Sequence, residues 1–260
     1  MIQLVRIELE KLRTVRLTYG LLATAVGLSA LFSLLTASRA GGKAIAPLYS
    51  ASGLNSVTTT TGIAMLLAAV LGVAVSAGEF RHSTATVTYL ATPDRNRVLL
   101  AKALAAAPVG AVFGLVAASV STVVGLAYVG ASGDPVALSW GTLAGHVGGA
   151  ALAAGLLAAV GVGIGSLVRN QIGANVGVIA WSVVIESLVG GLFTSARPYL
   201  PYTAASTLAG IKFGGAGFGM RAAASGPGPL PFVAAAALVA GVAVVVSALA
   251  ARTTVQRDIA

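Results

Sequence analysis

Groups able to do chemistry are few in this 260-residue chain: seven Asp and Glu, two His and no Cys. The absence of Cys removes thiolate nucleophiles, disulfides and Cys-ligated metals. His82 and His146 lack neighbouring ligands at metal-binding spacing, so no metal site is read here. A P-loop needs GxxxxGK followed by Ser or Thr, because backbone amides and the Lys hold the phosphates. The nearest fragment, Gly41-Gly42-Lys43-Ala44, lacks the first Gly and the hydroxyl. The chain is therefore read as a non-enzyme with no cofactor of its own. Two features remain. One is AGEFRHSTATVTYLATPDRNRVLLAK, residues 77–102, which holds six charges (Glu79, Arg81, Asp94, Arg95, Arg97 and Lys102) between long apolar runs. The other is Glu186, alone inside an apolar stretch. An ionisable group in such a stretch is a candidate for function.

The elements that must position these groups follow from composition. Hydrophobic residues make up 57% of the chain and charged residues 9%, against about 25% charged in soluble domains. Too few polar side chains exist to cover a water-soluble surface, so the chain reads as one all-α integral membrane domain over residues 1–260. Charges cut it into six runs, 17–37, 59–78, 103–130, 139–167, 171–194 and 230–250, each near the roughly 20 apolar residues that a crossing helix needs. The first is too long for a signal-peptide core and reads as an uncleaved span. Arg169, Asn170 and Gln171 predict a tight turn between the fourth and fifth spans. Small residues four apart, such as Gly110 and Gly114, Gly141 and Gly145, Gly161 and Gly165, or Gly173 and Gly177, suit close helix packing.

With six spans both termini share a side. Arg6, Lys11, Arg13, Arg16, Arg81, Arg95, Arg97, Lys102, Arg169, Arg252 and Arg257 fall there, while Arg39, Lys43, Arg197, Lys212 and Arg221 fall opposite. The positive-inside rule puts both termini, and the 77–102 segment, in the cytoplasm. Sinking its six charges into lipid would cost roughly 18 kcal/mol, at about 3 kcal/mol each. The net charge of +9 then reads as attraction to anionic lipid. Nucleic acid is not an expected partner, since no basic patch interleaved with aromatics appears.

Residues 2–16, IQLVRIELEKLRTVR, place Ile2, Val5, Leu9 and Leu12 on one helical face, with Glu8 and Lys11, Arg6 and Glu10, and Glu10 and Arg13 as polar neighbours. This predicts an amphipathic helix at the membrane interface, within residues 1–16. From Glu79 to Ala91 there is no Pro or Gly, so a second short amphipathic helix is expected over 79–91, with Phe80, Val87 and Leu90 sharing a face and Arg81, Ser83, Thr84 and Thr88 polar. Thr92 is suited to cap the next helix, with Pro93 at its first position and Asp94 near its positive end. Helix, stop and restart over about 24 residues read as a docking surface.

The run GEFRHSTATVTYLATPDRNRVLLAK resembles the cytoplasmic loop of ABC-2 type transporter permeases, in Glu79, Arg81, Thr84, Pro93, Arg95 and Lys102. The layout of interface helix, six spans and a long external segment before the last span is similar too. The resemblance implies the transmembrane subunit of an ATP-driven transporter, an exporter, in a bacterial cytoplasmic membrane. It implies partnership with a cytoplasmic ATPase subunit, which binds ATP and Mg, and with a second permease copy, identical or similar. It implies that 79–91 is the coupling helix, with Glu79, Phe80, Arg81, His82, Ser83, Thr84, Val87 and Leu90 on the ATPase, and that Pro93, Arg95, Arg97 and Lys102 touch the partner or lipid headgroups.

Glu186 would lie roughly 22 Å along its span from Gln171, at 1.5 Å per residue, toward the outer side. It is a candidate for the translocation path, for a pair with Arg197, or for contact with water. His146 and Trp140 read as interfacial. Residues 195–229 form the longest external segment; TAASTLAGIKF is expected to be a short helix, partly inserted. Two other functions compete: a secondary transporter with Glu186 as its ion-coupled carboxylate, and a non-transporting membrane assembly protein.

Overall fold

The computed structural model describes residues 1–42, 45–81, 92, 94–133, 135–211 and 227–253. Among them no strand occurs, and six helical stretches are long and apolar enough to cross a membrane. This architecture fits a multi-pass membrane protein. The chain opens with α1 (Ile2–Thr14). The crossing stretches are α2 (Arg16–Ser38), the pair α3 (Ala51–Thr58) and α4 (Gly62–Arg81), α5 (Arg95–Ser132), α6 (Trp140–Val168), α7 (Gln171–Leu192) and α9 (Phe232–Thr253). Between the last two lies the short α8 (Pro201–Leu208). The end of the bundle that holds α1 is called the near end below, and the opposite one the far end.

The centre is built on backbone approach. A Cβ on Gly72 of α4 would meet the carbonyl oxygen of Ala158, and one on Gly161 of α6 would meet that of Ala69. On another side of α6, Gly110 and Gly114 of α5 face the carbonyls of Ala154 and Ala150. The small-residue repeats therefore divide. Gly110, Gly114, Gly161 and Gly165 make contacts that no larger residue permits. Gly145 and Gly177 have open space, and Gly141 and Gly173 meet only their own capping residues Ser139 and Asn170. Helices α2, α7 and α9 stand outside this centre with much of their apolar surface exposed.

Three boundaries differ from the sequence reading. Helix α5 runs into the third span as the sequence predicts but starts at Arg95, two positions past the expected Pro93, because the Asp94 carboxylate caps it by accepting the Arg97 N–H at 3.2 Å. The cap is thus Asp94 and not Thr92. Its 38 residues measure about 57 Å, nearly twice the apolar thickness of a bilayer. Secondly, the second span has an extra helix, α3, before it, ended by the run Thr58 to Thr60 whose hydroxyls turn back on nearby carbonyls. Thirdly, the helix in the long segment starts at Pro201. It folds into the bundle, with Thr203, Ala204, Ala205, Ser206 and Leu208 buried. The tight turn at Arg169 to Gln171 is present, with Arg169 in the left-handed region at φ 55° and the Asn170 side chain accepting the N–H groups of Ile172 and Gly173.

Candidate functional site

At the near end three elements bring four charged side chains together. α1 supplies Glu8 and Lys11, one turn apart. The last turn of α4 supplies Glu79, and the start of α5 supplies Lys102. The Lys102 ammonium lies 2.6 Å from Glu79 Oε1 and 3.2 Å from Glu8 Oε2. It also reaches the Val75 carbonyl at 3.5 Å. The Lys11 ammonium lies 2.6 Å from Glu8 Oε1 and 3.1 Å from Glu79 Oε1. Each ammonium thus bridges both carboxylates, and the four charges cancel. Lys102 is 3% exposed and Glu8 5%, while Lys11 closes the outer side of the square.

Burial works against the charge on Lys11, but its hydrogen bond to Glu8 and the charge of Glu79 prevail, so its pKa is raised. Lys11 therefore stays protonated throughout the neutral range. Within α1 the inward face is Val5, Glu8, Leu9 and Leu12. Ile2, which the periodicity placed on that face, is 87% exposed at the first turn of the helix.

The sequence-selected residues scatter around this square. Glu79, Phe80 and Arg81 continue α4 rather than opening a separate helix. Glu79 points inward. The Phe80 ring carries the Arg169 guanidinium at 5.2 Å from its centroid, a cation–π contact between the second span and the turn after the fourth. Arg81 is exposed. Lys102, expected at a partner or headgroup surface, is instead sealed inside. Arg97 is exposed and pairs with Asp94 at 2.8 Å, and Arg95 is half-buried. His82, Ser83, Thr84, Val87, Leu90 and Pro93 lie outside the described residues. Sequence reasoning paired Glu8 with Lys11 but missed that Glu8 is shared with Lys102; its position on the apolar face beside Val5, Leu9 and Leu12 was the available signal.

At the far end Glu186 is 3% exposed and accepts four hydrogen bonds. Oε1 takes the Trp181 indole N–H at 3.0 Å and the Tyr202 backbone N–H at 2.8 Å. Oε2 takes the Thr203 backbone N–H at 2.8 Å and its hydroxyl at 3.0 Å. The two amides belong to the first turn of α8. Its N-cap residue, Leu200, has no side-chain acceptor, and Pro201 has no N–H. A carboxylate from another helix therefore caps α8 and meets the positive end of its dipole. The Trp181 contact depends on a π turn over Trp181–Ile185. In an α-helix residues five apart point about 140° from each other; the wider π turn brings Trp181 and Glu186 to one side. The Tyr202 hydroxyl donates to the Gly62 carbonyl at 2.8 Å, and burial together with the Glu186 charge pushes its pKa up. The Arg197 stem packs over Gly190, one turn past Glu186. His146 is half-buried, with its ring against Gly210, and Trp140 is exposed.

Among the described residues no group of His, Asp or Glu is placed to hold a metal ion. The chain matches no family model and no curated protein sequence.

Proposed function

We propose that this chain is the transmembrane subunit of an ATP-driven transporter, an exporter moved by a separate ATPase that docks at the near end. The observation supporting this most is the four-charge square. It ties α1 to the inner ends of the second and third spans, so a push delivered there would move three elements together. The resemblance of residues 78–102 to a permease coupling loop points the same way, with 79–91 as the segment that the ATPase grips. In this reading the near end and both termini face the cytoplasm of a bacterial cell, and ATP and Mg are held by the partner. A second permease copy completes the path, and the outward apolar faces of α2, α7 and α9 are covered by lipid or by that copy. The ion-coupled alternative needs a carboxylate that gains and loses a proton or ion. Glu186 already has four donors, which favours a capping role.

The test is copurification with a candidate ATPase, with ATP hydrolysis measured on the complex. Arg81→Glu, at an exposed position, is expected to weaken the complex at least tenfold while leaving the melting temperature of the chain unchanged. Undiminished binding would defeat the docking assignment. Transport that persists without any ATPase and is lost with Glu186→Gln would establish the ion-coupled reading instead.

A further inference from the structure

One flank of α1 carries guanidinium groups beside an apolar floor. Ile2, Arg6, Leu9 and Arg13 follow one another at spacings of four, three and four residues, so they share one stripe of the helix. Along it α1 and α5 leave an open groove of about 340 Å³, lined by Met1, Ile2, Val5, Arg6, Leu9 and Leu104. Arg6 is the one polar residue of that lining. Val5 and Leu9 rest on the core of the bundle, while Ile2 and Leu104 are exposed. Leu104 lies two residues past Lys102, within the apolar run of α5. The groove therefore lies at the edge of the hydrocarbon, where the medium that meets Leu104 is lipid.

The charges on this flank do not balance. The Arg6 guanidinium meets the Glu10 carboxylate at 3.2 Å, in an exposed pair that water weakens. Arg13, which the spacing also offered to Glu10, makes no ion pair among the described residues, and neither does Arg16 just beyond it. The Tyr19 hydroxyl donates to the Arg13 carbonyl at 2.8 Å. The first turn of α2, which has no side-chain cap and no acidic residue, thus stands against the end of α1 and adds partial positive charge. Arg6 and Arg13 are about 10.5 Å apart along the helix axis, at 1.5 Å per residue. Two arginine side chains can converge on one phosphate over that span, each through paired N–H donors. A ligand that suits both halves has a hydrocarbon chain and a phosphate with no cation of its own. A zwitterionic lipid carries a cation beside its phosphate and gains less from the surplus. A soluble anion leaves the groove unfilled, and an acidic protein would have to enter lipid to cover Leu104.

We propose that the α1–α5 groove binds one anionic phospholipid, with an acyl chain along Val5, Leu9 and Leu104 and the phosphate between Arg6 and Arg13. The site requires that the bundle crosses a membrane and is independent of any ATPase. The test uses the purified full chain in detergent, titrated with dioleoyl phosphatidylglycerol or with dioleoyl phosphatidylcholine. Bound lipid is counted by native mass spectrometry, and thermal unfolding is followed in parallel. One phosphatidylglycerol per chain is expected to bind at least tenfold more tightly than phosphatidylcholine and to raise the melting temperature saturably. A basic residue at a membrane surface is worth about fivefold in affinity for anionic lipid. Arg13→Gln should therefore weaken phosphatidylglycerol binding about fivefold, and Arg6→Gln together with Arg13→Gln about 25-fold. Arg252→Gln, at an exposed position in the last turn of α9, should leave it unchanged. Leu104→Trp fills the groove without altering charge and should also weaken it. Equal affinity for the two lipids overturns the proposal. So does an equal effect of Arg13→Gln and Arg252→Gln, which would mean a diffuse surface field. Displacement of the lipid by glycerol phosphate would mean a free-anion site, and undiminished binding to Leu104→Trp would remove the acyl chain from the groove; either overturns it. All the substituted side chains are exposed, and should a variant fail to fold, the comparison of the two lipids on the native chain decides.

Discussion

At the scale of single residues, the described carboxylates of Glu8, Glu10, Glu79 and Asp94 each have a cationic partner. Lys102 is the extreme case. Its ammonium is buried between Glu8 and Glu79, so Lys102→Met would leave two carboxylates facing each other with only Lys11 to offset them. Breaking a buried pair from one side costs about 3–5 kcal/mol. The exposed pair of Arg97 and Asp94 has the same chemistry and a different environment, and such pairs contribute at most about 1 kcal/mol. Thermal unfolding in detergent should therefore show a large drop for Lys102→Met and almost none for Arg97→Met. Equal shifts would mean that the square is open to water. Glu186 follows the same logic without a counter-ion, since four donors take the place of a cation.

At the scale of elements, the helices are placed by what their backbones can approach. Ala158 and Ala69 present carbonyl oxygens to Gly72 and Gly161, so a single methyl there must push α4 and α6 apart. Overpacking of this kind costs about 1–3 kcal/mol. Gly145 and Gly177 meet nothing, and Ala is the better helix former by about 1 kcal/mol. Gly72→Ala and Gly161→Ala are expected to lower the melting temperature, while Gly145→Ala and Gly177→Ala should leave it level or raise it. A uniform response across the four would contradict the packing described for α6. The capping of α8 belongs to this scale too: a helix whose own N-cap is Leu200 is placed by the α7 carboxylate that completes it.

At the scale of the whole molecule, six crossings and a basic near end make a topology that can be measured directly. The native chain has no Cys, so introduced thiols are read without background. Cys replacing exposed Arg97, at the near end, should react with a membrane-impermeant maleimide only after cells are opened. Cys replacing exposed Tyr49, at the far end, should react in intact cells. The reverse pattern would invert the bundle and remove any ATPase from the near end.

Composition and spacing were enough to read six helices long and apolar enough to cross a membrane and the turn at Asn170, because a bilayer imposes length and apolarity on each span separately. The helical start at Ile2 and the Glu8–Lys11 and Arg6–Glu10 pairs within α1 were also legible, since they involve neighbours one turn apart. The role of Glu8 was not. Whether a carboxylate on an apolar face is exposed or shared depends on Glu79 and Lys102, which arrive from other helices. Glu186 stood out in sequence as an ionisable group in an apolar span, but its use as the cap of α8 depends on a π turn and on a chain reversal that no local pattern announces. The hydroxyl contacts of Ser33, Thr60 and Ser121 likewise join three spans, in part through carbonyls that every residue carries. Local forces fix which segments are helices; only their packing fixes which polar atoms meet.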